Sequence, residues 1–168
     1  MSPITDRIDF EEDRGGSALP LAGRRILITG AGAGIGAATA QTAVAQGACV
    51  AILDRDGDAA SRTASALGDD RALAATGDVT DEAAVEQALD RMAAAWGGVD
   101  DLVNNAGIYD HGPLLELSLA QWQRVFDVNL FAAIAASNAA VRRMRKGGSI
   151  VNVASALGQV AAPGRGPY

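Results

Sequence analysis

The sequence predicts an α/β protein, a doubly wound parallel sheet between two helical layers (three-layer α/β/α) with strand order 3-2-1-4-5, on the strength of three observations. Short apolar runs alternate with helical patterns along the chain, the arrangement that builds βαβ units. One of those runs, Cys49-Val50-Ala51-Ile52-Leu53, is continuously apolar, as expected of a parallel strand buried on both faces. The third observation is Thr29-Gly30-Ala31-Gly32-Ala33-Gly34-Ile35-Gly36, which joins the apolar run Arg25–Ile28 to an alanine-rich helical pattern. Strand, glycine loop and helix in that order suit a dinucleotide pyrophosphate, because bare backbone can approach it and the first N–H groups of the helix face its charge. Glycines also fill tight turns, so the loop alone leaves a purely structural role open.

At 168 residues, with 49% hydrophobic and 20% charged residues, the chain has the size and composition of one globular domain. Residues 1–22 read as a flexible leader, acidic and broken at Gly15-Gly16, in which Ile4, Ile8 and Phe10 are the residues able to pack on the body or a partner. Residues 23–168 read as the dinucleotide-binding domain. A net charge of -6 argues against nucleic acid as partner. The basic cluster Arg142-Arg143-Met144-Arg145-Lys146 is expected in the last turn of a helix, where cations suit the dipole. No apolar stretch approaches a membrane span of roughly 20 residues, so a cytoplasmic protein with no membrane partner is expected. Cys49 reads as a buried thiol and His111 as a surface or pocket-rim residue, and no second His or Cys cluster suggests a metal site.

Past the glycine loop, a helix is expected over Ile35–Gln46, stopped by Gly47. Strand two closes on Asp54, eighteen residues past Gly36 and near the offset of about 20 at which an acid meets the adenosine ribose; a strand-end cap is the alternative. Gly57–Leu67 reads as an amphipathic helix and Arg71–Thr76 as strand three, leading to Asp78-Val79. Thr80 is the expected cap of a helix running to Trp96, which Gly97-Gly98 ends. Strand four and its exit turn are Asp101–Gly107, where Asn104 and Asn105 need hydrogen-bond partners because an unpaired buried amide costs roughly 1–3 kcal/mol. One long helix is expected from Ser118 to near Lys146, with Asn129 on its apolar stripe as either a core hydrogen bonder or a functional residue. Ser149–Ser155 follows as strand five, then a Gly- and Pro-rich loop to Tyr168. Ligand belongs in the crevice at the carboxyl ends of strands one and four, where the winding reverses.

In order along the chain, Thr29-Gly30-x-x-x-Gly34-Ile35-Gly36, Asp78-Val79, Asn104-Asn105-Ala106-Gly107, Asn129, and Ser155 thirteen residues before Tyr168 closely resemble the short-chain dehydrogenase/reductase family. The resemblance implies a Rossmann-like fold and an NAD-dependent oxidoreductase that moves hydride between nicotinamide and a small-molecule carbonyl or secondary alcohol. By the same resemblance Gly30, Gly34, Ile35 and Gly36 would line the pyrophosphate, Asp54 the adenosine ribose, Asp78 and Val79 the adenine, and Asn105, Ala106 and Gly107 the cofactor and central sheet. Asn129 would hold a proton-relay water, Ser155 would orient the substrate carbonyl, and Tyr168 would be the acid/base. Asp54 would repel the 2'-phosphate of NADP, and Ala31, Gly32 and Ala33 offer it no cation, so NAD(H) is expected over NADP(H), with the neighbouring Arg55 softening the preference.

The family's Tyr-x-x-x-Lys motif would put its lysine four residues past Tyr168, and its C-terminal helices and strands would follow. The expectation is therefore a truncated piece of a longer enzyme, with strand five left as an apolar edge and with weak or absent turnover by itself. A homo-oligomer is the family's habit but needs the helix that would pack beside Asn129. The alternatives are a non-catalytic dinucleotide-binding module and a non-functional fragment.

Overall fold

The computed structural model describes residues 19–160, 163, 164 and 166. β1 (Arg25–Thr29) leads through the glycine loop into α1 (Gly34–Ala45), followed by β2 (Cys49–Asp54), α2 (Gly57–Leu67) and β3 (Ala72–Thr76). Then come α3 (Glu82–Trp96) and β4 (Val99–Asn104). α4 (Leu119–Phe126), a π-helical turn (Asp127–Phe131) and α5 (Ala132–Val141) run on from one another before β5 (Met144–Asn152). All pairings are parallel and the sheet order is β3-β2-β1-β4-β5, the architecture the strand and helix pattern predicts.

Side-chain alternation along the strands divides the core in two. Ile26 and Ile28 of β1 with Val50 and Ile52 of β2 pack against Ala40 and Ala43 of α1 and Ala60 and Ala64 of α2. Leu27 and Leu53 point the other way, onto Val85, Leu89 and Met92 of α3 and Ala136 and Ala140 of α5. Alanine faces let the helices sit close to the sheet. The edge expected at strand five is present among the described residues: β5 lies outermost, with Val151 exposed, and Leu130, Phe131 and Ile134 are exposed apolar residues on the neighbouring helical run.

Three local features differ from the sequence expectation. Residues 1–18 of the expected leader lie outside the described residues, whereas residues 20–23 form a turn in which Leu21 N–H donates to Gln46 O at 3.0 Å and Gly23 N–H to Gly47 O at 3.1 Å. At the start of α3, Asp81 is the cap, its side chain accepting from Ala83 N–H at 3.0 Å. Thr80 is taken instead by Asp78, whose Oδ1 accepts both its N–H (2.9 Å) and its hydroxyl (2.7 Å). The long helix ends at Val141, and β5 begins at Met144 rather than Ser149. Met144 pairs with Val99, and the register then shifts so that Ser149 opposes Asp101. Gly148 permits this irregularity, since a Cβ there would meet Asp100 O at 2.5 Å. Arg142 and Arg143 leave the helix and bind Glu86 and Asp90 of α3.

The amino end of the sheet is tied by two ion pairs. Arg25 is 7% exposed; its Nε and Nη2 bind the two oxygens of Asp100 at 2.7 and 2.6 Å, and its Nη1 donates to Trp96 O at 3.1 Å. Arg24 makes the same two-pronged contact with Asp101, whose Oδ1 also accepts from Ser149 N–H at 3.0 Å, so β1, β4 and β5 are joined. The Arg25 hydrogen bond holds the Asp100 carboxyl below its ordinary pKa against the opposing effect of burial. A folded-state pKa that is lowered gives stability that is complete above the ordinary aspartate value near 4 and is lost as pH falls through the lowered value. Asp100→Ala should therefore cost about 3–5 kcal/mol, because it strands a buried guanidinium, and should flatten the acid limb of stability against pH. Denaturant unfolding between pH 3 and 7 measures both, with Asp70→Ala, which breaks the exposed Asp70–Arg71 pair, as a near-neutral control.

Candidate functional site

At the carboxyl ends of the strands the glycine loop lies against the exit of β4. Gly30 has φ +63°, and a Cβ on it would meet Ala106 Cα at 2.7 Å. At Gly36 a Cβ would meet Asn105 Nδ2 at 2.5 Å and Gly30 O at 2.6 Å. Both glycines are thus required by contact with β4's exit turn. Gly34 differs: its φ is +57° and nothing lies within 4 Å of the Cβ position, so that side of the loop faces open space.

Asn105 locks the two elements. Its Nδ2 donates to Thr29 O at 2.9 Å and Gly30 O at 3.0 Å, and Thr29 Oγ1 accepts from Asn105 N–H and Ala106 N–H, each at 3.1 Å. Asn104 turns the other way, donating to Asn152 Oδ1 at 2.9 Å and Ser137 Oγ at 3.0 Å, which ties β4 to β5 and α5. Both amides therefore hold strands and helices together.

A cleft of about 340 Å³ opens beside this corner and gathers Gly30, Ile35, Asp54, Asp78, Val79, Asn105, Ala106 and Gly107. Sequence reasoning singled out all eight, and named Arg55, which also lines the cleft, for its charge beside Asp54; Gly77, Ile108 and Val128, which complete the wall, it missed. These three carry no polar side chain, so only the fold reveals them. Gly36 sits behind the wall, under Asn105. Asp54 is held by both oxygens, Oδ2 accepting from Gly32 N–H at 2.8 Å and Oδ1 from Asp56 N–H at 3.0 Å. The Thr80 N–H, then the Thr80 hydroxyl, lower the pKa of Asp78, with Arg55 adding to the effect and burial opposing it. The carboxylate stays charged at neutral pH.

Asn129 lies in the π-helical turn, and its amide grips the main chain of Ile108: Oδ1 accepts from the N–H and Nδ2 donates to the C=O, each at 2.8 Å. Asn129 thereby fixes the loop that walls the cleft. Ser155 lies beyond the end of β5, where its Oγ accepts from Leu157 N–H at 3.1 Å and starts a 3₁₀ turn. Tyr168 lies outside the described residues.

A larger concavity of about 760 Å³ lies between α1 and the β1–β4–β5 face. Its walls are mostly apolar and its charged groups, Arg24 and Asp101, are paired with each other, so the polar chemistry belongs to the smaller cleft. Among the described residues no group of three or more His, Cys, Asp or Glu side chains could hold a metal, and no helix is long and apolar enough to cross a membrane.

Comparison with known proteins agrees with this geometry. The chain is 43% identical over 150 residues to cis-4-hydroxycyclohexanecarboxylate dehydrogenase of Sinomonas cyclohexanicum, covering 86% of this chain and 60% of that one. It is 38% identical over 142 residues to sorbitol dehydrogenase of Cereibacter sphaeroides, covering 83% of this chain and 55% of the relative. The chain thus spans little more than half the length of these relatives. Among solved structures, 3-ketoacyl-(acyl-carrier-protein) reductase from Brucella melitensis, in complex with NADH, superposes with a TM-score of 0.84 at 33% identity over 88% of this chain and 64% of that one. Residues 24–168 match the family described as short chain dehydrogenase, and the chain belongs to that family.

Proposed function

We propose that the cleft binds NAD(H) and that the chain acts as an NAD-dependent oxidoreductase, moving hydride between nicotinamide and a carbonyl or secondary alcohol. The observation that carries this reading is the uncapped start of α1. Asp56, Asp81 and Ser118 cap α2, α3 and α4 with their side chains, whereas Ala33 supplies no side-chain hydrogen bond to α1. Free N–H groups at a helix start, beside the open face of Gly34, suit the anionic pyrophosphate. The neighbouring groups fit the rest of the cofactor: Gly30, Ile35 and Gly36 shape the phosphate corner, Asp54 offers a fixed carboxylate to the adenosine ribose diol, and Asp78 and Val79 stand where the adenine would lie. Asn105, Ala106 and Gly107 lead on toward the nicotinamide.

When bound, the nicotinamide supplies or accepts the hydride. Ser155, whose Oγ already accepts one hydrogen bond, keeps its own proton to donate to a substrate carbonyl. Tyr168 acts as acid or base on the same oxygen; a tyrosine of ordinary pKa near 10 is protonated at neutral pH and so is ready to donate in the reducing direction. Asn129 holds the Ile108 loop with one donor and one acceptor of its amide, which leaves a second N–H and a second lone pair for a relay water. Asp54 disfavours a 2'-phosphate, which supports NAD(H) over NADP(H). Relatives named for sorbitol, D-threitol and galactitol support a small secondary alcohol as the substrate class.

Titration of the chain with NADH, followed by nicotinamide fluorescence, should saturate, and Gly36→Val, which forces a side chain onto Asn105, should abolish the signal. Asp54→Ala should weaken NADH binding roughly tenfold or more through the lost charge-assisted hydrogen bonds, and should narrow the preference over NADPH. Absence of any saturable signal from the folded, unaltered chain would refute the reading. Tyr168→Phe should leave NADH affinity within about twofold and remove any turnover across a panel of polyols and ketones. Undiminished turnover in that variant would remove the tyrosine from its role, and cofactor binding without turnover by the unaltered chain would mark a binding module.

A further inference from the structure

The glycine loop is held by a residue to which the sequence motifs give no role. Gly32 is gripped at both of its polar ends: its N–H donates to Asp54 Oδ2 at 2.8 Å, and its C=O accepts from Thr63 Oγ1 at 3.0 Å. Thr63 lies on α2, so one loop residue is pinned between the end of β2 and the following helix. A threonine inside a helix usually turns its hydroxyl back on its own helix, to the carbonyl four residues before. Thr39 and Thr42 of α1 do so, donating to Ile35 O at 2.8 Å and Ala38 O at 2.9 Å. Thr63 instead reaches 31 residues back along the chain, to the loop. The loop has little room to take up slack elsewhere, since a Cβ on Gly32 would meet Ala59 Cβ and Asp54 Oδ2, each at 2.9 Å.

We propose that Thr63 is a positioning residue for Asp54, acting through Gly32 to hold the carboxylate ready for the adenosine ribose and so sharpening the choice of NAD(H) over NADP(H). The proposal rests on the dinucleotide reading of the cleft. Asp54 Oδ1 is anchored within its own turn by Asp56 N–H, but Oδ2 depends on Gly32, whose carbonyl is held by Thr63 while Asn105 and the Leu53 carbonyl hold Gly30 and Ala31 before it. With the Thr63 hydroxyl gone, Gly32 loses its hold on α2, and the carboxylate gains freedom to turn away from the ribose. A ligand that needs the carboxylate in place then loses the advantage of a pre-organised site. A ligand repelled by the carboxylate loses less, or gains.

The test uses the full chain and two substitutions, Thr63→Val, which keeps the shape and removes the hydroxyl, and Thr63→Ser, which keeps the hydroxyl. Calorimetric titration with NADH, NADPH and ADP reads the effect. Thr63→Val should weaken NADH and ADP by a similar factor, about 3- to 10-fold, as expected for one hydrogen bond acting through another, while NADPH changes less and the NADH/NADPH preference narrows. Thr63→Ser should bind all three within about twofold of the unaltered chain. Equal losses for NADH and NADPH accompanied by a lower unfolding temperature, or unchanged affinities in Thr63→Val, would overturn the proposal while leaving the dinucleotide reading intact. Failure of the unaltered chain to bind NADH would overturn both.

Discussion

The close approach of two backbone turns at the centre of the sheet is the constraint from which the site follows. β1 and β4 are paired neighbours, so their exits begin in contact, and the opposite winding directions in which the chain leaves them open a crevice beside that contact. Glycine at positions 30 and 36 makes this possible, because any side chain there would collide with Ala106 or Asn105. The same contact is closed by hydrogen bonds: Asn105 and Thr29 exchange side-chain and main-chain partners across the corner. A polar amide that would be costly if left buried alone becomes the fastener of the crevice.

The sheet is built differently at its two ends. At the amino end, Arg24 and Arg25 face Asp101 and Asp100, and the charges are matched, partly desolvated and shared with the main chain of β5 and α3. At the carboxyl end, Asp54 and Asp78 are held by N–H and O–H donors from their own turns or from the glycine loop; among the described residues neither makes an ion pair, and Arg55 lines the same cleft. Both acids line the cleft. Opposite them stands a helix start with no side-chain cap. On the proposed reading, these carboxylates, with Arg55 beside them, would meet the ligand's hydroxyls, and the uncapped amide donors its phosphates.

The π-helical turn connects this cleft to the helical run behind it. Inserting one wider turn at residues 127–131 brings Asn129 to Ile108, whose side chain lines the cleft. A polar residue on an otherwise apolar stripe thus acts as a hydrogen bonder between the helical run and the loop that walls the cleft.

Much of this was legible in the residues themselves. The continuous apolar runs of β1 and β2, the small-residue composition of α1 and the placing of glycines are local properties, so layer architecture and strand order could be read directly, and the resemblance to a known family supplied eight residues of the cleft. Features made by distant residues could not. The ion pair of Arg25 with Asp100 spans 75 residues, the tie of Asn104 to Asn152 spans 48, and that of Thr63 to Gly32 spans 31. The basic segment after Val141 suits a helix end by charge, yet Met144 is drawn into the sheet because β4 offers it backbone partners and Gly147-Gly148 allow the register to shift. Thr80 has the chemistry of a cap, but Asp78 competes for its hydroxyl and Asp81 takes the position. Sequence alone determined most of the strands, helices and loops, since period and glycine placement act over a few residues; the start of β5 and which polar group meets which were decided by the folded chain, since strand pairing and hydrogen bonds select partners by distance in space.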